Sequence, residues 1–386
     1  MSRKLITFAI VAASTRCVPD PPEVDPYAVI DEGQHVIVLS DDEGSELCAG
    51  SMAHMDDFVM RLAAEFGVSP PSDEERIRFH WLTPESVEEV CGGPVLGCAP
   101  GGVIYSHDAP LDHELVHAVV APLGLPRPLF AEGLAVEYEN IGRRPISDYF
   151  VGGSTDVSAL VELGQVEFSA QNGYRLAGAF TSFLIDRFGL DDYLLAYSSI
   201  ERNASRASID QVFRDVFGVS LEESIADFDE LPGYLTEYCT QPQFGAKLME
   251  CGAPELAWDG DNLTFETALS CGEGLAIGPF DDKVQVLRTI MIPTQGVYEL
   301  RMRGDEQAAD EMPDFTLFNQ AVTGVSIYHC GGCDVHAAMA TWYGSTPRLA
   351  ELSAGLYSVR LHGPAAMSVA LGFTLVRVGT LPDTGG

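Results

Sequence analysis

The stretch Asp112-His113-Glu114-Leu115-Val116-His117-Ala118-Val119-Val120 decides how the chain is read. His113 and His117 are four positions apart, so on a helix they stand about 40° from one another on one face and can chelate one ion. Glu114 lies about 100° from His113, flanking that pair, where a carboxylate can reach a water on the ion. Leu111, Leu115, Val116, Val119 and Val120 make the rest of the helix apolar, which places both imidazoles in a domain interior. Two buried imidazoles and a carboxylate need partners, and a metal supplies them.

Nine histidines in 386 residues produce an accidental His-Glu-x-x-His in roughly one such chain in 60, so the pattern needs a third ligand. Pro122, Pro126 and Pro128 end the first helix. A second then reads Leu129-Phe130-Ala131-Glu132-Gly133-Leu134-Ala135-Val136-Glu137-Tyr138. Glu132 follows His117 by 15 positions, enough for a loop that returns an antiparallel helix beside the first. Gly133 and Ala135 allow close helix approach. Two histidines and one glutamate with an open fourth position make a catalytic zinc set, so Zn2+ is the expected cofactor.

HELVH followed by FAEGLAVEY resembles the gluzincin metallopeptidases, particularly the bacterial peptidase MA-like group. That group also has a downstream helix similar to the segment Tyr174-Arg175-Leu176-Ala177-Gly178-Ala179-Phe180 and on to Gly189. The resemblance covers about Tyr27 to Tyr238. It implies that His113, His117 and Glu132 bind zinc and that Glu114 is the general base. By a looser analogy it implies that Tyr174 donates to the developing oxyanion. It also implies a small mixed sheet above the active helix, whose edge strand holds an extended substrate. Two departures stand out. The interval from His117 to Glu132 is shorter than in many gluzincins. The Gly-x-Met-Glu-Asn segment by which the aminopeptidase branch grips a free amino terminus is absent, which points to an endopeptidase.

Outward from the motif, the chain divides into two textures. His35 to Leu39, Arg76 to Leu82 and Val103 to Tyr105 read as strands. Ser51 is expected to cap a helix through Phe66 closed by Gly67, and Thr83-Pro84-Glu85 to open another. Helices are predicted over Ala109 to Ala121, Leu129 to Ile141, Tyr174 to Phe188, Asp191 to Ile200, Ile209 to Phe217 and Leu221 to Phe228. The last opens with the capping box Ser220-Leu221-Glu222-Glu223. From about Pro254, strands alternate with Gly, Pro and Asp: Val284 to Ile292, Gly296 to Met302, Phe315 to Asn319, Leu356 to His362 and Met367 to Val378. The expected fold is an α+β zincin-like domain over residues 27–240, with a small mixed sheet and a helical half. An all-β sandwich follows over 251–380. That sandwich is loosely similar to the pre-peptidase C-terminal modules of secreted bacterial peptidases, through Thr289-Ile290-Met291-Ile292-Pro293, Gly296-Val297-Tyr298-Glu299-Leu300 and Ala354 to Arg360. Such a module binds or solubilises.

Arg3 and Lys4 followed by Leu5 to Ala13 have the layout of a secretory signal over residues 1–17, with a Pro/Asp-rich tether over 18–26. Cys17 sits where a lipoprotein signal places its lipidated cysteine, although Arg16 stands where a small residue is usual. The chain is thus expected either at the cell surface or in the periplasm as an outer-membrane lipoprotein attached through a lipid on Cys17, or outside the cell without that attachment. The other eight cysteines suit four disulfides, with Cys91/Cys98 and Cys239/Cys251 as local pairs on spacing. His329-Cys330-Gly331-Gly332-Cys333-Asp334-Val335-His336 is read as disulfide-forming, and the acidic stretch from Asp305 to Asp314 as a solvated loop. His35, His54, His80, His107 and His362 are read as ordinary. A net charge of -35 excludes nucleic acid as a partner. The expected partner is a peptide or protein substrate, and the expected state a monomer. The expectation is an exported zinc peptidase. The alternative is a non-catalytic surface recognition or adhesion protein on a peptidase-like scaffold.

Overall fold

The computed structural model describes residues 27–42, 44–139, 156–230, 250–280, 283–304, 323–330, 338–341, 347–364 and 369–379. The expected signal and tether, Cys17, Cys239, Cys333, the acidic stretch 305–314, the strand over 315–319 and most of the domain boundary lie outside these residues.

Five strands form the first sheet: β1 (Ala28–Glu32), β2 (Val36–Ser40), β3 (Ile77–Trp81), β4 (Gly97–Cys98) and β5 (Ile104–Ser106). Their order is β1-β2-β3-β5-β4. β2, β3 and β5 are parallel, and β1 and β4 run antiparallel at the two edges. Helix α1 (Ser51–Glu65) makes the crossover from β2 to β3, burying Met55, Phe58, Val59 and Leu62 at helical spacing. Helix α2 (Pro84–Cys91) opens with Thr83 accepting the Ser86 amide, as its sequence predicts. Gly67 follows the α1 C-cap at φ +63°, also as expected. Ser51 does not cap α1. Gly50 holds that position, and the Ser51 hydroxyl is taken by Gly278, 2.7 Å away, in the C-terminal region.

The helical half comprises α3 (Asp112–Val120), α4 (Pro128–Tyr138), α5 (Val157–Leu160), α6 (Gln165–Ala170), α7 (Tyr174–Phe188), α8 (Leu190–Ser199), α9 (Arg206–Val216) and α10 (Leu221–Asp229). Every residue of α4 except Val136 is buried, so this helix is the centre of the domain, packed on α3 and α7. A Cβ on Gly133 would stand 2.7 Å from the Ala177 carbonyl, so this glycine serves the approach of α4 to α7. The capping box of α10 is present in full. One apolar cluster, from Val36 to Phe228, joins the sheet to these helices.

The C-terminal region is β-rich. Its strands are β6 (Glu255–Leu256), β7 (Asn262–Leu269), β8 (Ala276–Phe280), β9 (Lys283–Ile292), β10 (Gly296–Gly304), β11 (Gly324–His329), β12 (Ala338–Thr341), β13 (Arg348–Leu352), β14 (Gly355–Pro364) and β15 (Val369–Gly379). They form one sheet in the order β13-β10-β15-β7 and another in the order β12-β11-β14-β9-β6, with β8 also on β9. Residues of both sheets, among them Leu263, Val286, Tyr298, Val359 and Phe373, share a second core.

Three disulfides are present among the described residues: Cys48–Cys271, Cys91–Cys98 and Cys251–Cys330. Cys91–Cys98 is the local pair its spacing suggests. The expected Cys239–Cys251 pair is replaced, because the turn carrying Cys251 packs on β9 and β14, beside the end of β11 where Cys330 lies. Three disulfides belong to an oxidising compartment of the kind exported proteins enter. Among the described residues no helix is long and apolar enough to cross a membrane.

Candidate metal centre

Helix α3 presents His113 and His117 on one face, their rings 5.0 Å apart and nearly perpendicular. Helix α4 brings Glu132 between them. Its Oε2 is 3.1 Å from His113 Nε2 and 3.3 Å from His117 Nε2. One ligand atom from each of His113, His117 and Glu132 lies within 4.8 Å of the others, a set that could hold a metal ion.

Two residues with no place in the sequence reading prepare this set. Glu139, at the C-cap of α4, sits 2.9 Å from His113 Nδ1, leaving Nε2 turned toward Glu132. Gln165, the first residue of α6, donates at 2.9 Å to Glu132 Oε1, leaving Oε2 turned toward the histidines. Ligating imidazoles in metal sites characteristically give their other nitrogen to a carboxylate in this way. With both far atoms occupied, the near atoms of the N2O donor set converge, and that set fits zinc. Glu139 follows Glu132 by seven positions, two helical turns, which is a signal available in sequence. Gln165 carries none.

Glu114 is buried beside the cluster, under the edge strand. A Cβ on Gly97 of β4 would come within 3.1 Å of Glu114 Cγ, 2.9 Å of Leu111 Cδ2 and 2.9 Å of the Tyr105 carbonyl. Only a residue without a side chain lets β4 lie this low over α3. The Cys91–Cys98 disulfide ties that two-residue strand to the end of α2. Tyr174 opens α7 with its ring edge-on to His113, centroids 6.2 Å apart, and its hydroxyl 2.8 Å from Ser169 Oγ.

The site is acidic and largely closed to solvent, and its charges set one another. Burial lifts the Glu114 carboxyl above the usual carboxylate range, against the pull of His113 and His117 and with the help of Glu132 and Glu139. Burial would also lift Glu132, but the two imidazoles against it hold it well below that range. Burial alone would lower His113. Its bonds to Glu132 and Glu139 and the charge of Glu114 instead raise it well above an ordinary imidazole. Burial and the Glu132 charge raise Tyr174, which keeps its hydroxyl a donor at neutral pH. A carboxylate held between two imidazoles thus has beside it a second, buried carboxylate of raised proton affinity, with the Tyr174 ring against His113.

No known family model matches the chain, and no curated protein matches it. Among solved structures, an isomalto-dextranase of Arthrobacter globiformis T6, complexed with panose, is similar at 18% identity and a TM-score of 0.16. The match covers 31% of this chain and 22% of that one, so it spans about a fifth of that protein. A likeness this slight assigns neither fold nor activity.

Proposed function

We propose that the chain is an exported zinc-dependent endopeptidase of gluzincin type. The observation that carries this reading is the convergence of His113 Nε2, His117 Nε2 and Glu132 Oε2 beside a buried Glu114. His113, His117 and Glu132 hold the ion, and zinc so held supplies Lewis acidity to the scissile carbonyl and to water. Glu114, its affinity for protons raised by burial, takes a proton from the attacking water. As a carboxylic acid it then delivers that proton to the departing amine nitrogen. Tyr174 donates its hydroxyl to the carbonyl oxygen as negative charge develops there. The edge of β4, which among the described residues pairs only with β5, accepts the substrate backbone as an added strand directly above Glu114. The mixed sheet with an antiparallel edge and the two helices that bear the ligands support a zincin-like arrangement.

The test combines metal analysis with cleavage. The purified chain is expected to hold one zinc and to cleave members of a peptide library read by mass spectrometry. Glu114→Gln is expected to keep the zinc and lose at least about 1,000-fold in kcat/KM. Wild-type protein that takes up no zinc, or a Glu114→Gln variant that cleaves normally, overturns the reading.

A further inference from the structure

His54 lies in the first turns of α1, 5% exposed, and its Nε2 is 2.9 and 3.1 Å from the two carboxylate oxygens of Asp112. Asp112 is itself 3% exposed and is the first residue of α3, immediately before His113 and Glu114. Taking an imidazole and a carboxylate out of water is costly unless each satisfies the other. The residue at the N-cap of α3, Leu111, offers no side-chain cap, so Asp112 is the side chain that anchors the opening turn of this helix. Its anchor is on a different helix, 58 residues earlier in the chain.

His54 is in turn held from the other side. The start of α1 is bound to the C-terminal region by a run of backbone contacts: Cys48 to Gly278 at 3.0 Å, Ala49 to Cys271 at 2.8 Å and Gly50 to Ala276 at 2.8 Å. Ser51 Oγ donates to the Gly278 carbonyl at 2.7 Å and accepts from its amide at 2.9 Å. The Cys48–Cys271 disulfide closes the same junction. The next residue of β8, Pro279, accepts the amide of Ala109, three residues before α3, at 3.4 Å. One strand of the C-terminal region therefore touches both the helix that carries His54 and the approach to the helix that carries the ligands.

We propose that His54 is a positioning residue. Through Asp112 it sets the first turn of α3, and with it the placement of His113 and Glu114, while β8 sets His54. This rests on the metallopeptidase reading above. It makes the C-terminal region part of the working site, where its sequence texture suggests a separate accessory module.

The test uses the full mature chain. Zinc affinity is measured by competition with a chromogenic chelator, the ligand field by the visible spectrum of the cobalt-substituted protein, and the fold by thermal unfolding of the metal-free protein. His54→Ala is expected to weaken zinc binding about tenfold and to shift the cobalt bands. His54→Gln, whose amide nitrogen can take the place of Nε2, is expected to recover affinity to within about threefold and to restore the bands. Metal-free His54→Ala, which leaves the buried Asp112 carboxylate without its imidazole, is expected to unfold at a lower temperature than His54→Gln, and zinc affinity is read below both transitions. Ser51→Ala, which leaves His54 in place and loosens its hold on β8, is expected to weaken zinc about threefold; this arm serves if His54→Ala does not fold. A His54→Ala variant with wild-type affinity and spectrum overturns the proposal. So do Ala and Gln variants that are equally impaired, and so does a Ser51→Ala variant with unchanged affinity. If the wild type itself binds no zinc, the metallopeptidase reading fails with it; zinc bound equally by wild type and His54→Ala removes the positioning role alone.

Discussion

Removing Glu139 tests whether the metal set is prepared by its surroundings. Its carboxylate is 2.9 Å from His113 Nδ1, and the two side chains are 19% and 14% exposed, so solvent screens the contact only in part. A hydrogen bond involving a charged group in such a place contributes about 1.5–3 kcal/mol. Outer partners of ligating histidines cost about 10- to 100-fold in metal affinity when lost, which is about 1.4–2.7 kcal/mol. The two routes agree. Glu139→Ala is expected to weaken zinc binding about 30-fold. Glu139→Gln, which keeps an oxygen for Nδ1–H and loses the charge, is expected to cost about tenfold or less. The assay is chelator competition at constant pH, with thermal unfolding of the metal-free protein alongside, since Glu139 also ends α4. A Glu139→Ala protein that folds and binds zinc as tightly as the wild type refutes the idea that this carboxylate orients His113.

Gly97→Ala would set a Cβ against Leu111, the Tyr105 carbonyl and Glu114, so kcat is expected to fall about tenfold with zinc content unchanged, as steady-state kinetics and metal analysis would show. Gly133→Ala forces α4 away from Ala177 and Thr181 of α7, and denaturant unfolding should register a loss of about 1–3 kcal/mol. Burial, with the charges of Arg360 and Lys283, pushes His362 down to about 4, so its neutral form is the folded one. Its contribution is complete above the unfolded value of about 6.5 and is lost as pH falls from there toward 4, by up to about 3 kcal/mol. The stability difference between wild type and His362→Gln should therefore shift in the variant's favour across that window, and a difference independent of pH would contradict the assignment.

What was legible in the sequence was what short-range physics decides. The helix Tyr174–Phe188 has the bounds its pattern predicts, Thr83 and Ser220 cap where their spacing says, and the pairing of Cys91 with Cys98 needs only seven residues of chain. His113 and His117 are readable because one helix sets their geometry. Residues whose partners come from elsewhere are not. Ser51 has the chemistry of a cap, but its hydroxyl is used by Gly278, 227 positions away. His54 looks ordinary until α1 and α3 are packed together. The strand Ala276–Phe280 contains Gly278 and Pro279, and Ala338–Thr341 is alanine-rich, so neither shows the β-branched alternation that strand reading depends on.

The two long-range disulfides overlap. Cys48–Cys271 encloses the segment that bears His113, His117 and Glu132, and Cys251–Cys330 begins inside that segment and ends beyond it. A single backbone cut anywhere from residue 48 to residue 330 therefore leaves two pieces that remain one covalent molecule. A protein in a compartment that holds peptidases can be nicked across this span without shedding a fragment. A gel run without reductant would count such a nicked molecule as intact, and the same gel run with reductant would show the cut.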